Sequence, residues 1–308
     1  MRITRNSKRY RHRSLCFVII LSIFWGWVSA VQAQDKFQDK GTKCFLWTAA
    51  NEKSAIYVLG SVHFLTSESF PLAGAIENAY SSSKTIVFET DMDGFNAPAS
   101  QAEMSTLGLI PEGQTLQQVL PEQTYSSLKN RVERLGLPME LFDRLKPWLC
   151  ALTLTAMELQ RLGLEPKYGI DHYFFNKAKK DGKQILFLES VSDQLRLFTE
   201  MSKEQEASFL QQTLEDLEVL ETKSADLIGA WTSGDADRLR SIVEIGFKGH
   251  PEIYEKMVVQ RNKNWATQID RLIQQGGNAL VVVGAAHLVG EESVLRLLGS
   301  RGYEIKQR

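Results

Sequence analysis

Short apolar runs alternate along this chain with longer amphipathic stretches. "CFLWTA" (44–49) and "AIYVLG" (55–60) flank the polar trio Asn51-Glu52-Lys53, which predicts a hairpin. "KTIVFET" (84–90), "KQILFLES" (183–190) and "NALVVVGAAH" (278–287) are β-branched or aromatic and bounded by polar residues, and "GYEIKQR" closes the chain as a last strand. These runs are continuous rather than alternating, as expected for strands covered on both faces. Helical spacing marks 71–83, 121–136, 144–163, 169–183, 202–234 and 251–277. Pro71 suits a helix start. Gly136 and Gly163 suit helix ends. Asp171, Ser202 and Asp235 read as helix caps. The pattern predicts an α/β domain over 34–308: a central, mostly parallel sheet flanked by helices, with a helical insertion at about 100–165.

The first residues depart from this pattern. Residues 1–13 carry six Arg or Lys and no acid, and "LCFVIILSIFWGWV" and the small-residue exit "SAVQAQD" follow. A basic head, a short apolar run and alanines at 30 and 33 predict a signal peptide over 1–33, hence export to the periplasm or beyond. The alternative is an uncleaved membrane anchor. Without residues 1–33 the chain has 30 basic and 37 acidic side chains, a net charge of −7. That balance, with no basic run, argues against a nucleic-acid partner. Beyond the leader nothing approaches a membrane-spanning length. Export leaves Cys44 and Cys150, either as a disulfide or as two buried thiols.

Chemistry gathers where the strands stop. One strand runs out at Gly60 and delivers His63, and another runs out at Gly284 and delivers His287. The strands between them end on Glu89 and Glu189. In a parallel sheet all four side chains fall at the carboxyl edge, where α/β folds bind ligands. The glycines allow either positive φ or close backbone approach. Two imidazoles with a carboxylate suit Mn, Co or Zn, so His63, Glu89 and His287 are candidate metal ligands. Glu189 is the candidate base or outer-shell orienter, although the sequence does not order the two glutamates. Arg261, in "VVQRNKNW", is the candidate oxyanion-stabilising or carboxylate-binding cation, and the mid-helix Asn262 beside it is unfavourable on propensity alone. His172 and His250 read as ordinary loop or helix residues. There is no His-Glu-x-x-His helix and no Gly-x-Ser-x-Gly elbow, which argues against a conventional zinc protease or a serine hydrolase.

The series "YVLGSVH", "IVFET", "YGIDHYFFNKAKKDGKQILFLES" with the following "DQL", "RNKNWA" and "VVVGAAHLVGEESVLRLLGSRGY" resembles the TraB/GumN family, bacterial relatives of the Tiki proteins, over residues 44–305. The resemblance implies an active centre built on the paired Gly-x-x-His motifs, with His63, Glu89 and His287 at its core and Glu189 and Arg261 in support. It also implies a metal-dependent protease activity like that of the animal Tiki members, supported by manganese or cobalt. Asp171 lies in a family motif too, and here it reads first as a cap. The expectation is therefore an exported, metal-dependent hydrolase acting on a peptide or amide. Two alternatives stand beside it: a metal-independent esterase-like hydrolase, and a protein that captures a peptide signal without turnover.

Overall fold

The computed structural model describes residues 43–308, so the leader expected at 1–33 lies outside it. Six strands form one sheet: β1 (Leu46–Ala50), β2 (Ala55–Ser61), β3 (Thr85–Phe88), β4 (Gln184–Phe187), β5 (Ala279–Gly284) and β6 (Glu304–Gln307). Their order across the sheet is β4-β3-β5-β2-β1-β6. The four strands β4, β3, β5 and β2 run parallel, and β1 is antiparallel to both its neighbours. The predicted fold class is the observed one.

The predicted hairpin joins β1 and β2. Asn51 closes its turn: its side-chain oxygen accepts from the backbone N–H groups of Lys53 and Ser54. β5 is buried along its whole length, as its unbroken apolar run requires at the sheet centre. β4 differs from the expectation of double coverage. It is an edge strand, and Phe187 stays 38% exposed.

Helices cover the sheet. Helix Pro147–Arg161 is buried along most of its length, and its Trp148 stacks on Phe198, which in turn meets Phe209 of helix Lys203–Leu217. The stretch predicted as one helix over 202–234 is two, Lys203–Leu217 and Leu220–Thr232. At the break, Glu218 is engaged by Arg131 and Arg134 of helix Glu122–Arg134, and Val219 leaves the helical region. Ser202 and Asp235 cap helices as their positions predict. Cys150 is a fully buried free thiol, so the Cys44–Cys150 disulfide does not form; burial pushes that thiol far up. Among the described residues no helix is long and apolar enough to cross a membrane.

The connections place a crevice. From β3 the chain goes on to β4 at one edge, and from β5 it passes to β6 at the other. β3 and β5 are parallel neighbours whose connections leave their carboxyl ends toward opposite edges, the position where α/β sheets open a binding crevice.

Candidate active site

Glu89 follows β3 directly, and its Oε1 accepts a hydrogen bond of 2.6 Å from the Gly284 N–H at the end of β5. That bond bridges the crevice. The two glycines of the repeated phrase do different jobs, because the β2–β5 ladder sets Ser61, not Gly60, opposite Gly284. A Cβ on Gly60 would stand 2.5 Å from Phe45 Cδ1 and 3.1 Å from the Ala285 backbone, so that glycine serves packing. A Cβ on Gly284 would stand 3.2 Å from Glu89 Oε1, 3.4 Å from His287 Cδ2 and 3.7 Å from His63 Nε2. Gly284 is thus the floor of the site. Close approach, not positive φ, is what both glycines supply; φ at Gly284 is −52°.

His63 and His287 both reach this floor. His63 follows β2, and its Nδ1 stands 3.0 Å from Asp171 Oδ2. Asp171 does not cap its helix as the sequence suggests. Helix Ile170–Lys180 starts with Gly169 in the capping position, and Asp171 in the first turn faces the imidazole. Gly169 permits this approach, since a Cβ there would be 2.3 Å from the His63 carbonyl oxygen. Burial alone would lower the His63 pKa, but Asp171 and Glu89 outweigh it and raise the imidazole above its ordinary value.

His287 sits in a short 3-10 turn, Ala285–Leu288, and is 4% exposed. Its Nδ1 is 2.7 Å from Asn262 Oδ1. The Asn262 amide nitrogen donates to the Glu292 carbonyl, which turns its oxygen to the imidazole and fixes the proton on Nδ1. Nε2 therefore carries a lone pair. Burial and the nearby Arg261 hold the His287 pKa down to about 3, so the ring is neutral at ordinary pH. Asn262 is fully buried. This bond is the physical reason for an asparagine in mid-helix.

Arg261 joins the cluster. Its helix, Gln260–Gln274, follows a π-helical turn at Glu255–Val259, in which the Gln260 N–H donates five residues back to Glu255. Such turns re-aim side chains inside helices. Arg261 Nη2 lies 2.7 Å from Glu89 Oε2 and 2.6 Å from Glu189 Oε1, its Nε 3.2 Å from Glu189 Oε2, and its Nη1 3.1 Å from both His287 Nε2 and the Met257 carbonyl. Trp265 backs it, 4.5 Å from both the guanidinium carbon and the His287 ring centre. Burial would raise the Glu89 carboxyl, yet Arg261, the imidazoles and the Gly284 N–H together hold it at about 2. Gln194, 1% exposed, donates to Glu189 Oε1 at 2.7 Å and reaches Glu89 Oε2 at 3.4 Å.

All five residues singled out from the sequence, His63, Glu89, Glu189, Arg261 and His287, thus meet in one cluster. Asp171, in its actual role, and Gln194 were not singled out for the site. His172 turns to Asn176, and His250 lies between Ser208 and Gln212.

The donor types, imidazole nitrogen and carboxylate oxygen, are those that bind borderline divalent cations. Two imidazoles have an oxygen beside their Nδ1 and border, with Glu89, a floor that carries no side chain. Arg261 takes up the same lone pairs, His287 Nε2 and Glu89 Oε2. Among the described residues no three His, Cys, Asp or Glu side chains stand in an arrangement that holds a metal ion.

The sequence has relatives among known proteins. The uncharacterized protein YbaP of Escherichia coli is 22% identical over 242 residues, 79% of this chain and 87% of YbaP. Metalloprotease TIKI2 of Danio rerio is 22% identical, with 90% of this chain and 63% of the fish protein covered. Metalloprotease TIKI1 of Homo sapiens is 21% identical, with 88% and 63% covered. This chain therefore spans somewhat under two thirds of each Tiki protein. No solved structure matches. The TraB/PrgY/gumN family profile matches residues 45–307, nearly all of the described chain, and the protein belongs to that family.

Proposed function

We propose that this protein hydrolyses a peptide or amide bond, with a divalent cation (Mn, Co or Zn) held by His63, Glu89 and His287. The observation that carries the reading is orientation. Each imidazole has an oxygen beside its Nδ1, Asp171 Oδ2 at 3.0 Å from His63 and Asn262 Oδ1 at 2.7 Å from His287, and both rings border the Gly284 floor together with Glu89. Proteins hold metal-ligating imidazoles in this way. When bound, such a cation polarises the carbonyl under attack and brings a water close to ionisation at neutral pH.

The chain's own residues supply the rest. Glu189, held by Gln194, takes the proton of the attacking water as general base and returns it to the leaving amine as the C–N bond breaks. Arg261, a fixed cation between the two glutamates, neutralises charge that builds on the carbonyl oxygen. Its Nη1 must release His287 Nε2 before that lone pair serves as a ligand, so cation binding and the Arg261 position are linked. The metalloprotease name of the Tiki relatives supports the reading. The same reading takes the protein as exported through its leader and the substrate as a peptide or small amide.

The Asp171–His63 pair favours a second reading, in which His63 Nε2 acts directly as the base on an ester or lactone and no metal takes part. Metal content of the purified protein separates the two, measured beside a His63→Ala/His287→Ala variant after loading with Mn, Co or Zn. We expect near one metal per chain in the wild type, none in the folded variant, and peptide-library cleavage that chelator abolishes. Turnover indifferent to chelator overturns the metal reading in favour of the second. Peptide binding without turnover that survives His63→Ala points instead to capture.

A further inference from the structure

Two of the three proposed ligands already carry a cation, and it belongs to the protein. Arg261 Nη1 stands 3.1 Å from His287 Nε2, and Arg261 Nη2 stands 2.7 Å from Glu89 Oε2. The His287 ring proton is on Nδ1, toward Asn262, so Nε2 offers one lone pair and Nη1 uses it. Of the two Glu89 oxygens, Oε1 is taken by the Gly284 N–H. The guanidinium fork thus spans an imidazole nitrogen and a carboxylate oxygen, the donor types a divalent cation takes.

A lysine in this position could yield to a metal by losing a proton. Arginine stays charged, so it yields only by moving. The contacts that would keep it nearby are in place. Its Nε stands 3.2 Å from Glu189 Oε2 and its Nη2 2.6 Å from Glu189 Oε1, a two-point pairing that uses neither ligand. Trp265 lies against the guanidinium carbon, and 13% of the Arg261 side chain is exposed, so it is not sealed in.

We propose that Arg261 is a built-in competitor for the cation: its guanidinium uses the same His287 and Glu89 lone pairs as the metal, and it withdraws onto Glu189 when the metal binds. The assignment rests on the reading of His63, Glu89 and His287 as ligands. It adds that a side chain which is not itself a ligand sets the cation affinity. The same guanidinium also partners the buried Glu89 and Glu189 carboxylates whenever the metal leaves.

Co(II) is the probe, titrated into chelator-stripped wild-type protein and an Arg261→Ala variant and followed by calorimetry and by the visible absorption of the bound ion. Arg261→Ala binds Co(II) about tenfold more tightly, or better. Guanidinium chloride at millimolar concentration, far below denaturing levels, takes the place of the missing side chain. It weakens Co(II) binding to the variant competitively and leaves the wild type unchanged, and urea or sodium chloride at the same concentration does not reproduce the effect. A second arm needs only the wild type, so it stands even where Arg261→Ala does not fold: crystals of stripped protein are soaked in Zn(II). With Zn(II) bound, Arg261 lies on Glu189 and out of hydrogen-bond reach of His287 Nε2. Unchanged or weaker Co(II) affinity in Arg261→Ala, or an Arg261 still bonded to His287 Nε2 beside bound Zn(II), overturns the proposal and leaves the metal reading standing. No saturable binding of either metal to either protein ends the metal reading, and the proposal with it.

Discussion

Arg261→Met tests the electrostatics of the cluster most directly. Methionine keeps much of the aliphatic stem against Trp265 and removes the one cation shared by Glu89 and Glu189, whose side chains are 9% and 10% exposed. Removing one partner of a buried ion pair costs about 3–5 kcal/mol, because it strands the opposite charge. The pH dependence gives a second, independent magnitude. Glu89 is held at about 2 against an ordinary 4.5, so its carboxylate stabilises the wild-type fold by roughly 3 kcal/mol at neutral pH. A depressed carboxyl contributes fully above pH 4.5 and loses its contribution as pH falls toward 2. In the variant the guanidinium is gone and burial remains, so Glu89 moves the other way and acid favours the fold. Urea unfolding of both proteins between pH 4 and pH 8 should therefore show a deficit of about 3–5 kcal/mol at pH 7 that narrows steadily toward pH 4. A deficit under about 1 kcal/mol, or one that does not change with pH, would refute the picture of two carboxylates dependent on one guanidinium.

Other perturbations probe separate parts of the structure. Asn262→Leu leaves the His287 Nδ1–H without its acceptor, so stability should fall by about 1–3 kcal/mol and the preference for the Nδ1–H tautomer, read by nitrogen-15 NMR, should be lost; an unchanged tautomer ratio contradicts the assignment. Gly60→Ala would put a methyl 2.5 Å from Phe45, costing about 1–3 kcal/mol in denaturant midpoint; a neutral effect shows that the hairpin has room to move. Glu206 is raised to about 7 by burial, which the charges of Lys146 and Lys203 only partly oppose. A raised carboxyl favours the fold in acid and loses that advantage as pH climbs from 4.5 to 7. Glu206→Gln should thus stabilise the protein by about 1–3 kcal/mol at pH 8, allowing for partial screening, and hardly at all at pH 4. Equal effects at both pH values would count against it.

What the sequence reveals about this site follows strand ends, and what it hides follows helix starts. His63, Glu89, Glu189 and His287 are legible because each is the first reactive residue after an apolar run, and a parallel sheet brings such positions to one edge. Asp171, Gln194 and Asn262 reach the same edge from helices, and for Asp171 and Gln194 an acid or amide near a first turn has a local explanation already at hand. For Asp171 that explanation is wrong. The signal that could have exposed it is Gly169, two residues earlier: a glycine is itself a good capping residue, so Asp171 need not be the cap, and its bare Cα lets the His63 carbonyl approach. Asn262 carried a better clue, its poor helix propensity, but propensity says only that a tertiary contact compensates and not with which side chain. The split of the 202–234 helix left no such mark, since neither Gly nor Pro stands at Glu218–Val219 and the break coincides with arginines contributed from far away in sequence. The strands therefore bring the reactive groups together, and the helices fix their protons and charges. Substitutions at Asp171, Gln194 and Asn262 should accordingly alter how the site titrates more than whether the sheet forms.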